Sequence, residues 1–281
     1  MWSYQRMSGE PWDPVERDRR YASCKRAGLA RLVSEGDSWF DYPPHPNIID
    51  WLDGEGVWGI KRFEKSGDTL ENMASDSNLS RIASTAQKEK PEAILFSAGG
   101  NDLFTDIPEQ PKLRWIWRAL NPYDAQQTAA EHVNALAWDE KKTELRRGFV
   151  RVIGALGEYA PILLHGYDYL TASGEKVKYD GFRPAGPWIL PSMQDRGIND
   201  AALQQAILRV LIDDVNQILA ALETTYPDSV IYVNLRGTLR PGTDWMNEIH
   251  PTEDGFHKVE ERFRDALIER LPTVQQRRNA T

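Results

Sequence analysis

LARLVSEGDS, residues 29–38, places a short apolar run directly before a glycine and a serine. Leu29–Ser34 is short and apolar, which predicts a buried strand, and Gly36 allows the chain to turn sharply after it. A serine on such a turn lies at the carboxyl edge of the sheet, where α/β sheets bind their ligands. A hydroxyl attacks a substrate poorly unless a base takes its proton. Ser38 is therefore a candidate nucleophile whose base has to come from elsewhere in the chain.

Four further apolar runs have the same form and are followed by glycine. They are Val57–Phe63, Ala93–Ser97, Pro161–His165 and Val230–Leu235. Short runs of this kind are typical of parallel strands buried on both faces. Helical periodicity lies between or after them, at Lys142–Tyr159, Asp200–Leu222 and Asp254–Leu271. The alternation predicts right-handed crossovers and a three-layer α/β sandwich around a parallel sheet of about five strands.

The composition indicates one ordinary folded domain, and we treat residues 1–281 as a single unit. A formal net charge of −8 argues against a nucleic-acid partner, because such binding depends on neutralising phosphates. Cys24 is the only cysteine, so no intrachain disulfide forms, which fits a reducing compartment. The sequence shows neither a signal-peptide pattern nor an apolar run long enough to span a bilayer. We therefore expect a cytoplasmic protein with no membrane span.

Two aromatic segments interrupt the alternation, at residues 104–138 and 170–197. Both follow predicted strand ends, so we expect both insertions to overhang the site as a lid or a substrate wall. The alternative is aromatic packing that only covers an exposed sheet end. Trp39, Trp115 and Trp188 are the candidate substrate-binding residues.

An asparagine and a histidine lie where they can meet Ser38. Asn101 follows Ala93–Ser97 and the pair Gly99-Gly100, and its amide can donate to the oxyanion of a tetrahedral intermediate. The alternative for Asn101 is a helix cap or an Asx turn. His250 lies on a loop after the last predicted strand, directly before a proline and a helix start. Its alternative is a helix-capping or surface residue, and His165, at another strand end, is the competing base.

Taken together, four blocks resemble the SGNH (GDSL-type) hydrolase family in order and spacing. The blocks are Gly36-Asp37-Ser38, Ser66-Gly67-Asp68-Thr69, Gly99-Gly100-Asn101-Asp102 and Ile249-His250-Pro251. The resemblance implies a flavodoxin-like sheet with strand order 2-1-3-4-5. It implies Ser38 as nucleophile and His250 as general base. It also implies an oxyanion hole built from the Ser38 and Gly67 backbone N–H groups and the Asn101 side chain.

The third member of the implied triad departs from the family. The family places an aspartate three residues before the histidine, and this chain has Asn247 there. Asn247 can accept a hydrogen bond from the histidine ring and orient it, as an asparagine does in some cysteine proteases. Asp244 is the alternative third member. The stretch Asn-Glu-Ile-His-Pro, with His-Gly-Tyr-Asp-Tyr at His165–Tyr169, is similar to a bacterial branch of the family.

The resemblance implies a serine esterase or lipase that works through an acyl-serine intermediate, with no cofactor and no metal. Its substrate is then a small-molecule, lipid or sugar ester. Other classes stay open at this stage. A non-catalytic carbohydrate- or lipid-binding module can share the fold, and transfer of the acyl group to an acceptor other than water uses the same residues. A metallophosphoesterase also has Gly-Asp turns after buried strands, but it needs several histidine and aspartate ligands.

Overall fold

Five short parallel strands form the centre of the computed structural model, which describes residues 14–42, 46–104, 114–177 and 185–271. The strands are β1 Ala30–Gly36, β2 Trp58–Arg62, β3 Ala93–Ser97, β4 Ile162–His165 and β5 Val230–Val233. Their order in the sheet is β2-β1-β3-β4-β5, and every neighbouring pair is parallel. The predicted fold class and strand order are therefore confirmed.

Helices precede, connect and follow these strands. They are α1 Pro14–Arg26, α2 Ile48–Gly54, α3 Leu70–Met73, α4 Asp76–Glu89, α5 Gly100–Phe104, α6 Trp115–Arg118, α7 Ala135–Leu156, α8 Leu190–Asp195, α9 Ala201–Thr225 and α10 Glu253–Arg270. On one face of the sheet α2 packs against α10, with α1 beside β2. On the other face α4, α7 and α9 pack side by side. This arrangement is the three-layer sandwich, with the apolar core on both sides of the sheet.

Local capping explains where the long helices begin. Asp200 accepts a hydrogen bond from the Leu203 N–H, so α9 begins at Ala201, as the sequence indicated. Asn134 caps α7 in the same way, and this helix therefore begins before the predicted Lys142. The last residues of the segment 104–138 accordingly belong to a helix.

The two aromatic segments are described in part, since residues 105–113 and 178–184 lie outside the described residues. The first segment contributes α6 and an antiparallel bridge between Leu120 and Val133. The second contributes α8 and a bridge between Val177 and Ala185. No helix within the described ranges combines the length and apolar character needed to cross a membrane.

Candidate active site

Ser38 lies on a tight turn at the carboxyl end of β1. The Phe40 and Asp41 N–H groups both donate to the Asp37 carbonyl, at 3.1 and 3.0 Å, and close the turn. The segment that follows Ser38 is thus a single turn. Gly36 is needed for a close approach: a Cβ at this position would lie 2.9 Å from the Cβ of Ser97 on β3.

His250 reaches the Ser38 hydroxyl from the loop after β5. Its Nε2 lies 2.8 Å from Ser38 Oγ, and its Nδ1 lies 3.1 Å from Asn247 Oδ1. The ring is packed on two sides, stacked on Tyr42 at 4.4 Å between centroids and edge-on to Trp188 at 5.5 Å. The structure therefore brings together a hydroxyl, an imidazole and an amide oxygen that fixes the imidazole.

The Asn247 amide has one orientation that satisfies its neighbours. Its Oδ1 accepts from the backbone N–H groups of Ile249 and His250, at 3.1 and 2.9 Å, besides facing the ring. Its Nδ2 donates to the Tyr42 hydroxyl at 3.3 Å. Because all the groups around Oδ1 are nitrogens, His250 Nδ1 carries a proton toward it and Nε2 is left to accept from Ser38.

Asp244, the alternative orienting residue, is engaged elsewhere. Its carboxylate accepts hydrogen bonds from Arg240 and, at 2.6 Å, from Lys258 Nζ. Burial alone would raise the pKa of Asp244, but the bonds from Arg240 and Lys258 outweigh burial and lower this pKa far below its ordinary value. The carboxylate that was expected as a possible third member is thus held by cations, while Asn247 faces the ring.

The block that contains Asn101 and the block that contains Gly67 contact each other near Ser38. Asn101 Nδ2 donates to the Asp68 carbonyl at 2.8 Å, and the Asp102 carboxylate accepts from the Leu70 N–H at 2.8 Å. These two bonds hold the first turn of α5 against the turn that contains Gly67, whose φ is +79°. Ser38 and Asn101 line the same cleft.

The cleft at Ser38 is narrow and mostly apolar. Its lining consists of Asp37, Ser38, Trp39, Gly100, Asn101, Phe104, Tyr167, Leu170 and Ile249. Of the predicted substrate-binding residues, Trp39 lines the cleft but is almost entirely buried, and its Nε1 donates to the Ile249 carbonyl. Trp188 packs on His250. Trp115 packs against Trp138 and Lys141, apart from the cleft lining.

Glu248, which the sequence did not single out, fastens the segment 170–197 to the histidine loop. Its fully buried carboxylate accepts from four backbone N–H groups, those of Gly174, Trp188, Ile189 and Leu190. A glutamate beside a loop histidine carries no sequence signal for this role, because all its partners are backbone atoms. The carboxylate places the Trp188 ring against His250.

A second buried polar group lies beneath the Ser38 turn and was also missed. Ser97 Oγ lies 2.8 Å from Asp37 Oδ1 and 2.7 Å from His165 Nε2. The other Asp37 oxygen accepts from the Tyr167 hydroxyl at 2.8 Å. Burial raises the pKa of Asp37 to about 6 and lowers the pKa of His165 to about 4. His165, the competing base, is therefore a buried partner of Ser97 and does not contact Ser38.

The residues that the structure describes contain no group of three or more His, Cys, Asp and Glu side chains arranged to hold a metal ion.

Comparisons with known proteins give a likeness of fold. No family model matches the chain, and no curated protein matches it. Among solved structures, a member of the lipolytic protein G-D-S-L family from Veillonella parvula is 13% identical, with a TM-score of 0.50 over 84% of this chain and 97% of that one. A protein from Slackia heliotrinireducens assigned to the SGNH hydrolases is 10% identical, with a TM-score of 0.48 over 85% and 99%. The esterase AlinE4 of the SGNH hydrolase family is 16% identical, with a TM-score of 0.37 over 87% and 97%.

Proposed function

We propose that the chain is a serine hydrolase that cleaves carboxylic esters through an acyl-serine intermediate. The observation that carries the proposal is the ordered contact from Ser38 Oγ to His250 Nε2, at 2.8 Å, and from His250 Nδ1 to Asn247 Oδ1, at 3.1 Å. A nucleophile, a base and a group that orients the base are the parts that activated serine chemistry needs.

In the proposed reaction, Ser38 Oγ attacks the ester carbonyl carbon while its proton passes to His250 Nε2. The carbonyl electron pair moves to the oxygen, and the oxyanion is held by the Ser38 and Gly67 N–H groups and the Asn101 amide. Collapse of this intermediate breaks the bond to the alkoxy group, which takes the proton from His250. Water then attacks the acyl carbon while His250 Nε2 takes its proton, and the bond from this carbon to Ser38 Oγ breaks as His250 returns the proton to Oγ, which releases the acid.

A fluorophosphonate probe and p-nitrophenyl acetate test the proposal together. Acetate is chosen as a short acyl group because the cleft at Ser38 is narrow and mostly apolar. We expect time-dependent loss of p-nitrophenyl acetate hydrolysis on labelling, with one probe molecule per chain mapped to Ser38 by peptide mass spectrometry. A chain that hydrolyses the ester but carries its adduct on another residue would refute the assignment of Ser38.

Asn247 should influence the pH at which the acid limb of kcat/KM lies. Its neutral amide orients His250 without stabilising the charged ring. In the Asn247→Asp variant a carboxylate would favour the imidazolium, so freeing the base requires a higher pH. We expect activity to persist, since the Tyr42 hydroxyl can turn its hydrogen toward the new oxygen, and the acid limb of kcat/KM to move up by about 1 pH unit.

The comparison that decides the orienting residue is Asp244→Ala. We expect this variant to keep the wild-type pH profile, because Asp244 contacts Arg240 and Lys258. Loss of activity in Asp244→Ala together with an unmoved profile in Asn247→Asp would make Asp244 the third member of the site.

A further inference from the structure

Tyr167 lies in the His165–Tyr169 motif, to which the proposed chemistry gives no task. The residue follows β4 and is buried, with 3% of its surface exposed. Its hydroxyl donates to Asp37 Oδ2 at 2.8 Å and accepts from the Gly100 N–H at 2.9 Å. One phenol oxygen thus joins the turn after β1 to the turn after β3.

The direction of both hydrogen bonds is fixed by chemistry. A backbone N–H only donates, so the Tyr167 oxygen accepts from Gly100 and turns its own hydrogen to Asp37. Burial, with the neighbouring Asp37 carboxyl second, raises the pKa of Tyr167 well above its ordinary value. The phenol therefore stays protonated, and both bonds persist together.

The two partners of the phenol immediately precede two proposed functional residues. Asp37 precedes Ser38, and its Oδ1 also accepts from the Trp39 N–H at 3.0 Å, so the carboxyl fixes the backbone on both sides of the serine. Gly100 precedes Asn101. A Cβ on Gly100 would lie 2.6 Å from the Tyr167 oxygen, so glycine is the residue that admits the phenol here.

We propose that Tyr167 is a positioning residue that holds the Asn101 amide in register with the Ser38 nucleophile. The proposal rests on the proposed serine-hydrolase function. Without the hydroxyl, the turns after β1 and β3 keep their sheet contacts but lose the hydrogen bonds with Tyr167 that fix the position of one turn relative to the other. Oxyanion donors and nucleophiles are sensitive to such shifts, since a displacement of about 1 Å can cost about 10² in rate.

The test compares Tyr167→Phe with Tyr169→Phe on p-nitrophenyl acetate. Tyr169 is the matched control, because its hydroxyl also donates to an aspartate, Asp213 Oδ1 at 2.9 Å, outside the cleft lining. We expect Tyr167→Phe to lower kcat by about 10- to 10²-fold with KM changed less than about twofold, and Tyr169→Phe to match the wild type. Equal kcat values for Tyr167→Phe and wild type, or a change in KM alone, would overturn the proposal.

A double-mutant cycle with Asn101→Ala asks whether Tyr167 acts through the oxyanion donor. Asn101→Ala alone should lower kcat by about 10²–10³-fold. In that background Tyr167→Phe should cost much less than in the wild type, because the amide that it positions is already gone. Full additivity of the two losses would mean that Tyr167 supports the fold in general and would overturn the proposal.

Two further variants separate the possible failures. If Ser38→Ala hydrolyses the ester at the wild-type rate, the proposed function and this inference both fall. If Ser38→Ala is inactive and Tyr167→Phe is fully active, this inference alone falls.

Should Tyr167→Phe not fold, difluorotyrosine at position 167 keeps the ring and the hydroxyl but weakens the oxygen as an acceptor from Gly100. We then expect a lower kcat at unchanged KM, and an unchanged kcat would overturn the proposal.

Discussion

The Ser38→Ala variant is expected to lose ester hydrolysis by about 10⁴–10⁶-fold while remaining folded. The substitution removes one oxygen atom from a turn whose backbone hydrogen bonds do not involve that atom. The hydroxyl's contact is with His250 Nε2, which can take a water molecule in its place. Steady-state rates on p-nitrophenyl acetate, with a thermal melt to verify folding, measure the effect.

Ser97 supplies the matched control, because the described residues contain a second serine–histidine contact. Ser97 Oγ lies 2.7 Å from His165 Nε2, and its side chain is completely buried, with no access to an ester. Ser97→Ala should keep the fluorophosphonate adduct on Ser38 and a rate far above that of Ser38→Ala. Loss of the adduct in Ser97→Ala, with labelling retained in Ser38→Ala, would exchange the roles of the two pairs.

Replacing Glu248 by alanine is expected to have the largest effect on stability. Four backbone N–H groups would lose the carboxylate that they share: those of Trp188 and Ile189, which are buried, and those of Gly174 and Leu190, which are half-buried. Leaving a buried donor unsatisfied costs about 1–3 kcal/mol, so the two buried donors alone should lower the free energy of unfolding by at least about 2 kcal/mol. Thermal melts should show this as a drop of about 2–4 °C in Tm for each kcal/mol.

The same variant should also disturb the site, because Glu248 places the Trp188 ring against His250. We expect kcat/KM on p-nitrophenyl acetate to fall even at temperatures where Glu248→Ala is fully folded. Glu131→Ala is the control: this glutamate is exposed and accepts from the Thr128 N–H and hydroxyl, so its loss should change the free energy of unfolding by less than about 0.5 kcal/mol. Equal free energies of unfolding for the two variants would contradict this role of Glu248.

The sheet could be predicted from the sequence because its strands are buried on both faces. Ala93–Ser97 is apolar without alternation, and its observed bounds match the prediction. The helix α1 escaped prediction for the opposite reason. Among its described side chains only Tyr21 is buried, so the segment has no apolar face for periodicity to reveal.

The residues of the candidate site also differ in whether a sequence pattern reveals them. Ser38, Asn101 and His250 could be named because each follows a strand and belongs to a short block that resembles a family. Contacts that depend on packing between distant segments leave no such pattern. Tyr42 stacks on His250 across more than two hundred positions of sequence, and Glu248 binds only backbone atoms. The His165–Tyr169 motif was the one visible signal of the polar group beneath the turn.

The Ser97 hydroxyl in that polar group faces two acceptors. The Gly166 carbonyl accepts from His165 Nδ1 at 2.9 Å, so a neutral ring presents Nε2 as an acceptor to Ser97 Oγ. Ser97 Oγ also donates to Asp37 Oδ1 at 2.8 Å, so one hydroxyl hydrogen is shared between the two whenever Asp37 is ionised.

Burial raises the pKa of Asp37 to about 6 and lowers the pKa of His165 to about 4, because it disfavours the charged form of both groups. Because the folded pKa of Asp37 is raised, its contribution to stability is complete in acid and is lost as the pH rises from about 4 to about 6. Above that range Ser97 has one hydrogen for two acceptors, and either Asp37 or His165 gives up its bond.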